Sequence, residues 1–155
     1  MKYLKTYEEY RFKWNGIVEK DGNLYISLYK LANEMEESAN NERETKKFVR
    51  GGYYIPDDKN IVKDKEEEYI RFVKKLLVGK LITFDSEDYG KNLTGICKDV
   101  IFNGGFEAKP ENTFNIEHIH ISLDSLEDDA SIDDEVIVHS DEDTEQYKLR
   151  TKFNL

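Results

Sequence analysis

Phe12 to Ser27 (FKWNGIVEKDGNLYIS) places Asp21-Gly22-Asn23 between two stretches that carry apolar residues. Gly and Asn tolerate the positive φ of a tight turn, so this stretch predicts a β-hairpin. Ser27 has the chemistry of a helix cap, and Leu28, Leu31, Ala32 and Met35 follow at i, i+3, i+4 and i+7. That spacing predicts an amphipathic helix. Asn41 with Glu44 makes a capping-box-like pair and predicts a second short helix, ended by Gly51-Gly52. The clearest helix is 65–78. Asp64 and Glu67 form its capping box, Tyr69, Ile70, Phe72, Val73, Leu76 and Leu77 draw one apolar stripe, and Gly79 supplies the stop.

Beyond Gly79 the period changes from 3.6 to 2. Strands are predicted at 81–84, 93–102, 114–123, 135–139 and 147–153, with a hairpin-type turn at Asn103-Gly104-Gly105 leading to Phe106. In the last segment Tyr147, Leu149, Thr151 and Phe153 share one face, and Lys148, Arg150 and Lys152 the other. Matching apolar faces sets Val138 beside Tyr147 and Val136 beside Leu149. The same register sets Glu135 opposite Arg150 and Asp133 opposite Lys152. Each such exposed pair is worth about 0.2–1 kcal/mol.

These elements predict an α+β fold: an N-terminal hairpin and short helices, the amphipathic helix 65–78, then a small antiparallel barrel-like or strongly twisted β module. The division is 1–79, an N-terminal α/β region, and 80–155, a C-terminal acidic β module, or the two as one continuous domain. The run Leu77–Val100 (LVGKLITFDSEDYGKNLTGICKDV) resembles the first strands of Sm-like and other SH3-like small barrels. The shared features are a Gly-Lys entry, an alternating strand, a Gly-containing turn, and Thr-Gly before a second apolar strand and an Asp. The resemblance covers about 24 residues and implies an SH3-like barrel shape. The later Sm signature with its RNA-contacting Asn is not recognisable, so RNA binding is not implied.

Charge changes the picture. Residues 1–109 carry 20 basic and 20 acidic side chains, and residues 110–147 carry 13 acidic residues with no Lys or Arg. With Lys148, Arg150 and Lys152, the net charge of −10 belongs to the last third of the chain. Such asymmetry speaks to partners, and the partner it suits is cationic. A preformed basic surface for nucleic acid is not expected. Asp128, Asp129, Asp134, Asp141, Glu142, Asp143 and Glu145 fall on expected turns with no local basic neighbour, and they are the candidate partner-binding residues.

Other chemistry is sparse. His118 and His120 sit two apart on an expected strand, and His139 lies on another. They are the candidate metal ligands, but two alternating His on a strand need no ligand, and a half-exposed polar face is the simpler reading. The segments 141–152 and 85–96 both lack the bidentate Glu at the twelfth position of an EF-hand loop. Cys97, the single cysteine, lies in an apolar strand and reads as a small buried hydrophobe. The stretch 46–54 (KKFVRGGYY) joins basic residues to paired tyrosines, which suits a base and its phosphate or simply a helix's C-terminal charges. No P-loop, G-x-S-x-G, H-E-x-x-H or C-x-x-C pattern occurs. No apolar run approaches the ~18 residues of a membrane span. The N-terminus has no signal-peptide pattern, so cytoplasmic residence is expected, in a host or an infected cell.

By size, acidity and want of catalytic signatures the chain is similar to the acidic inhibitors that phages and plasmids encode: anti-CRISPR proteins, anti-restriction nucleic-acid mimics and toxin immunity proteins. The expected function is that of a non-catalytic inhibitor, with no cofactor. It would cover a basic surface on a nuclease, another nucleic-acid-acting protein or a toxin. The alternatives are a structural or assembly module of a phage or similar particle, and a metal-dependent enzyme using His118 and His120.

Overall fold

The computed structural model describes residues 14–49, 58–105, 109 and 112–153. The elements are β1 (Ile17–Lys20), β2 (Asn23–Ser27), α1 (Leu28–Val49), α2 (Asp58–Leu77), β3 (Leu81–Ser86) and β4 (Gly90–Asn103). Then come β5 (His118–Leu123), β6 (Ala130–Ser131), β7 (Glu135–Val138) and α3 (Asp141–Phe153). The fold is α+β. The seven strands form one open antiparallel sheet in the order β1-β2-β7-β3-β4-β5-β6.

The first hairpin turns at Asp21 and Gly22, with φ of 54° and 81°. Two consecutive positive φ values make the I′-type turn whose twist matches the strands it joins. Ser27 closes β2 and Leu28 opens α1 directly. β7 lies between β2 and β3, so Leu24, Val138 and Ile82 stand side by side, as do Ile26, Val136 and Phe84. All six are buried. The expected stripe of α1 (Leu28, Leu31, Ala32, Met35) and that of α2 (Tyr69, Phe72, Val73, Leu76, Leu77) are buried in the same core, with Ile70 half-buried against it. Each fully buried side chain of this kind contributes about 1.5–3 kcal/mol. The Tyr69 hydroxyl donates to the Leu28 carbonyl at 2.7 Å, and its ring meets Phe102 edge-on at 5.6 Å. A buried phenol thus keeps a partner for its polar end.

Several expectations are corrected. α1 runs through Asn41 without a break, so there is one helix where two were expected. Ala39 is fully buried there, and the Asn40 amide donates to the Glu36 carbonyl and to Asn112 O. α2 begins at Asp58, which puts Asp64 inside the helix; Gly51-Gly52 lies outside the described residues. The strand expected from Phe114 starts only at His118. Gly104 and Gly105 do not make a tight hairpin. A Cβ on them would lie 2.6 Å from the Asn115 side chain and 2.3 Å from that of Glu117, so they permit a close crossing of two chain segments.

The SH3-like barrel is not formed. The β3–β4 hairpin is present, and a register shift between Cys97 and Asp99 lets β4 leave β3 for β5. The curled end returns towards β3: Asp133 N–H donates to Asp85 O at 3.1 Å, and Ser131 Oγ to Asp88 at 3.0 Å. No ladder closes the ring, because β7 pairs with β3 on one side and β2 on the other and carries the sheet into the N-terminal hairpin.

The largest correction concerns 147–153, which is helix rather than strand. Both edges of β7 are occupied, by β2 and β3, so a strand at 147–153 could not pair with it as expected. The segment instead has the charge order of a helix: Asp141, Glu142 and Asp143 in the first turn, Arg150 and Lys152 in the last. The expected cross-strand neighbours Glu135–Arg150 and Asp133–Lys152 therefore do not exist.

Candidate functional site

Acidic surface, the strongest sequence expectation, is distributed over three places. Asp128 and Asp129 lie between β5 and β6, Asp134 lies between β6 and β7, and Asp141, Glu142, Asp143 and Glu145 lie on α3. Of the 13 acids in 110–147, all but Glu111 fall within the described residues, and every one of those is exposed.

Their local duties differ. Asp134 accepts from Ser27 Oγ at 2.8 and 3.0 Å, and its carbonyl accepts from Leu28 N–H at 3.2 Å. It pins the β2–α1 junction and is occupied structurally. Asp129 is 3.1 Å from His120 Nδ1, Asp141 is 2.6 Å from Lys80 Nζ, and Glu145 is 3.8 Å from Lys148. Asp128, Glu142 and Asp143 have no side-chain partner among the described residues.

The helix that carries four of these acids is built unlike the others. Ser140 caps it, with Asp143 N–H donating to Ser140 Oγ at 3.2 Å and Thr144 N–H to Ser140 O at 3.0 Å. Its attachment is polar at three points. Lys80 holds Asp141, Leu81 N–H donates to Thr144 Oγ1 at 3.1 Å, and Tyr147 OH donates to Asp124 at 3.3 Å. Burial, and after it the charge of Asp124, raise the Tyr147 phenol above its ordinary range. Thr144 is the helix's one buried residue, at 3% exposure. Leu149 and Phe153, one turn apart, are 53% and 61% exposed. The sequence signals for this helix were Ser140 followed by three acids, a capping pattern, and Leu149 and Phe153 at i, i+4.

No protein-family model, no curated protein and no solved structure matches this chain.

The histidines do not converge. His118 and His120 are on β5, while His139 follows β7 and lies 2.7 Å through Nε2 from Thr83 Oγ1. Two strands separate β5 from β7, a distance of about 14 Å by strand spacing. Among the described residues, no group of three or more His, Cys, Asp or Glu is placed to hold a metal ion. The segment 141–152 is helical and 85–96 is the β3–β4 hairpin, so neither is a calcium loop. Cys97 is buried, and burial, then the charge of Asp99, push its thiol up to about 12, which suits the expected inert hydrophobe. Of the stretch 46–54, residues 46–49 end α1 and 50–54 lie outside the described residues. A groove of about 380 Å³ crosses the β1–β2 hairpin over Val18 and Tyr25, with Lys20, Lys30 and Glu135 on its walls. Its charges are mixed in sign, and none of the predicted site residues lines it. Among the described residues no helix is long and apolar enough to cross a membrane.

Proposed function

We propose that this chain is a non-catalytic acidic binding protein that covers a basic surface on a nucleic-acid-acting protein or a toxin. One observation carries the reading: every described acid of the 110–147 segment is on the surface, and three of the seven predicted site acids, Asp128, Glu142 and Asp143, have no side-chain partner among the described residues. A fold that needed these carboxylates for itself would bury or pair them. Exposed like charges instead create a negative field that speeds the approach of a cationic partner and falls off with salt. Inhibitors of the phage and plasmid kind work through such fields, and the surface contributes association rate more than residence time.

The test is affinity capture from a host extract at about 50 mM and about 500 mM salt, a range over which screening becomes severe. The bait is the wild-type chain, with a control in which Asp141, Glu142, Asp143 and Glu145 are replaced by Asn or Gln. A nucleic-acid-acting protein or toxin held at low salt, released at high salt and captured poorly by the control is the expected result. An identical capture profile for the two baits overturns the reading.

A further inference from the structure

The way α3 is mounted points beyond a diffuse field. We propose that α3 is a recognition helix: its outer face enters an apolar cleft on the partner protein, with Leu149 and Phe153 as anchors and Glu142 and Glu145 against Lys or Arg at the cleft's mouth. This rests on the binding reading above and specifies the surface that α3 meets.

The geometry is that of a two-sided rod. At 3.6 residues per turn, Glu142, Glu145, Gln146, Leu149 and Phe153 fall within about 60° of one line along the helix. Asp141, Thr144 and Tyr147, spaced i, i+3 and i+6, form the attached side and make all three polar contacts with the body. The attached side therefore takes no apolar side chain from the outward one. Among the described residues five large hydrophobics are exposed, and Leu149 and Phe153 are two of them, one turn apart on a single face. Apolar anchors at i and i+4 are what a helix presents to a groove.

Charge gives the rod a direction. The outward face is acidic in its first half, with Glu142 and Glu145, and apolar in its second. Lys148, Arg150 and Lys152 flank the apolar half, and the Lys152 ammonium lies 5.6 Å from the Phe153 ring centre. The complementary partner surface has an apolar floor with cations at the end that receives the N-terminus of α3. A partner with cations along the whole cleft would repel the C-terminal half. A nucleic acid would be repelled by the N-terminal half, so a protein is the occupant that fits.

The experiment uses the full chain and the purified protein identified by low-salt capture, with rates read by surface plasmon resonance. Leu149→Ala with Phe153→Ala should raise the dissociation rate by at least about 30-fold, and leave the association rate within about threefold. Glu142→Gln with Glu145→Gln should do the reverse, slowing association about tenfold at low salt. Alanine favours helix, and both apolar residues are exposed, so the variant keeps α3; hydrogen exchange at Thr144 and Tyr147 verifies it. An unchanged dissociation rate for the alanine pair overturns the recognition helix. If salt-sensitive capture persists in that case, the acidic reading survives it. Failure of wild-type capture at low salt removes the acidic reading, and the inference falls with it. Concentration-dependent self-association of the wild type, abolished by the alanine pair, also overturns it, because the occupant is then a second copy.

Discussion

α1 and α3 are both helices beside the same sheet, and they are held by opposite means. α1 sets Leu28, Leu31, Ala32, Met35 and Ala39 into the core, each nearly or fully buried. α3 buries Thr144 alone and is fastened by one ion pair and two hydrogen bonds. Apolar burial is large and insensitive to salt, whereas the two exposed contacts, at Asp141 and Tyr147, are worth about 0.2–1 kcal/mol apiece. The body would lose its stability if its helix sequences drifted. The sequence of α3 is constrained at only a few positions, which leaves its outer face open to selection for something else.

The contrast can be broken at its strong end first. Leu31→Ala should lower the unfolding free energy by about 2–5 kcal/mol in urea titration, because the core cannot collapse fully onto the gap. A loss as small as that of a surface substitution would make the core contact of α1 dispensable.

The buried thiol sharpens the same point through pH. Cys97 has an ordinary pKa of 9.0, raised to about 12 in the fold. Its folded pKa is the higher, so its contribution is intact below pH 9 and falls as pH rises from 9 towards 12. The slope is at most about 1.4 kcal/mol per pH unit. Tyr69 is also pushed up, chiefly by burial, and adds to the slope above pH 10. Unfolding free energy should therefore decline from pH 9 in the wild type, and Cys97→Ala should stay flatter between pH 9 and 10. Parallel curves would show the thiol to be hydrated.

At the weak end, Thr144→Val should cost about 1–2 kcal/mol, since it leaves the Leu81 amide buried without its acceptor. Amide exchange along α3 should rise while that of α1 is unaffected. The smallest effect is expected for Leu149→Ala with Phe153→Ala, within about 0.5 kcal/mol in stability. A large loss would mean that these side chains serve the fold and not a partner.

The same contrast explains what could be read from the chain. Asp21-Gly22, the stripe Leu28-Leu31-Ala32-Met35, and Tyr69 to Leu77 were legible because burial and turn chemistry impose a local pattern. α3 was not, since it has almost no core stripe. Tyr147, Leu149, Thr151 and Phe153 alternate as in a strand, while Leu149 and Phe153 also fit one helical face. What decided was the Ser140 cap, the order of charges, and the occupancy of β7 on both edges, the last of which is a property of the assembled sheet. The partners of β7 were hidden for the same reason: Leu24, Ile82 and Tyr147 all sit on alternating segments of similar chemistry. The acids were visible as a segment, but their division into pinned (Asp134), paired (Asp141) and unpartnered (Glu142, Asp143) depends on neighbours far along the chain.

The place of β7 in the sheet has a consequence for how the molecule is made. β2 and β3 meet only through it, and Leu24 waits for Val138, which is more than a hundred residues downstream. At a synthesis rate of about 5–20 residues per second, the edges of β2 and β3 stand open for several seconds as the chain emerges. The strand that joins the two ends of the sheet is the last of these seven to leave the ribosome, and the helix proposed to meet the partner follows it out.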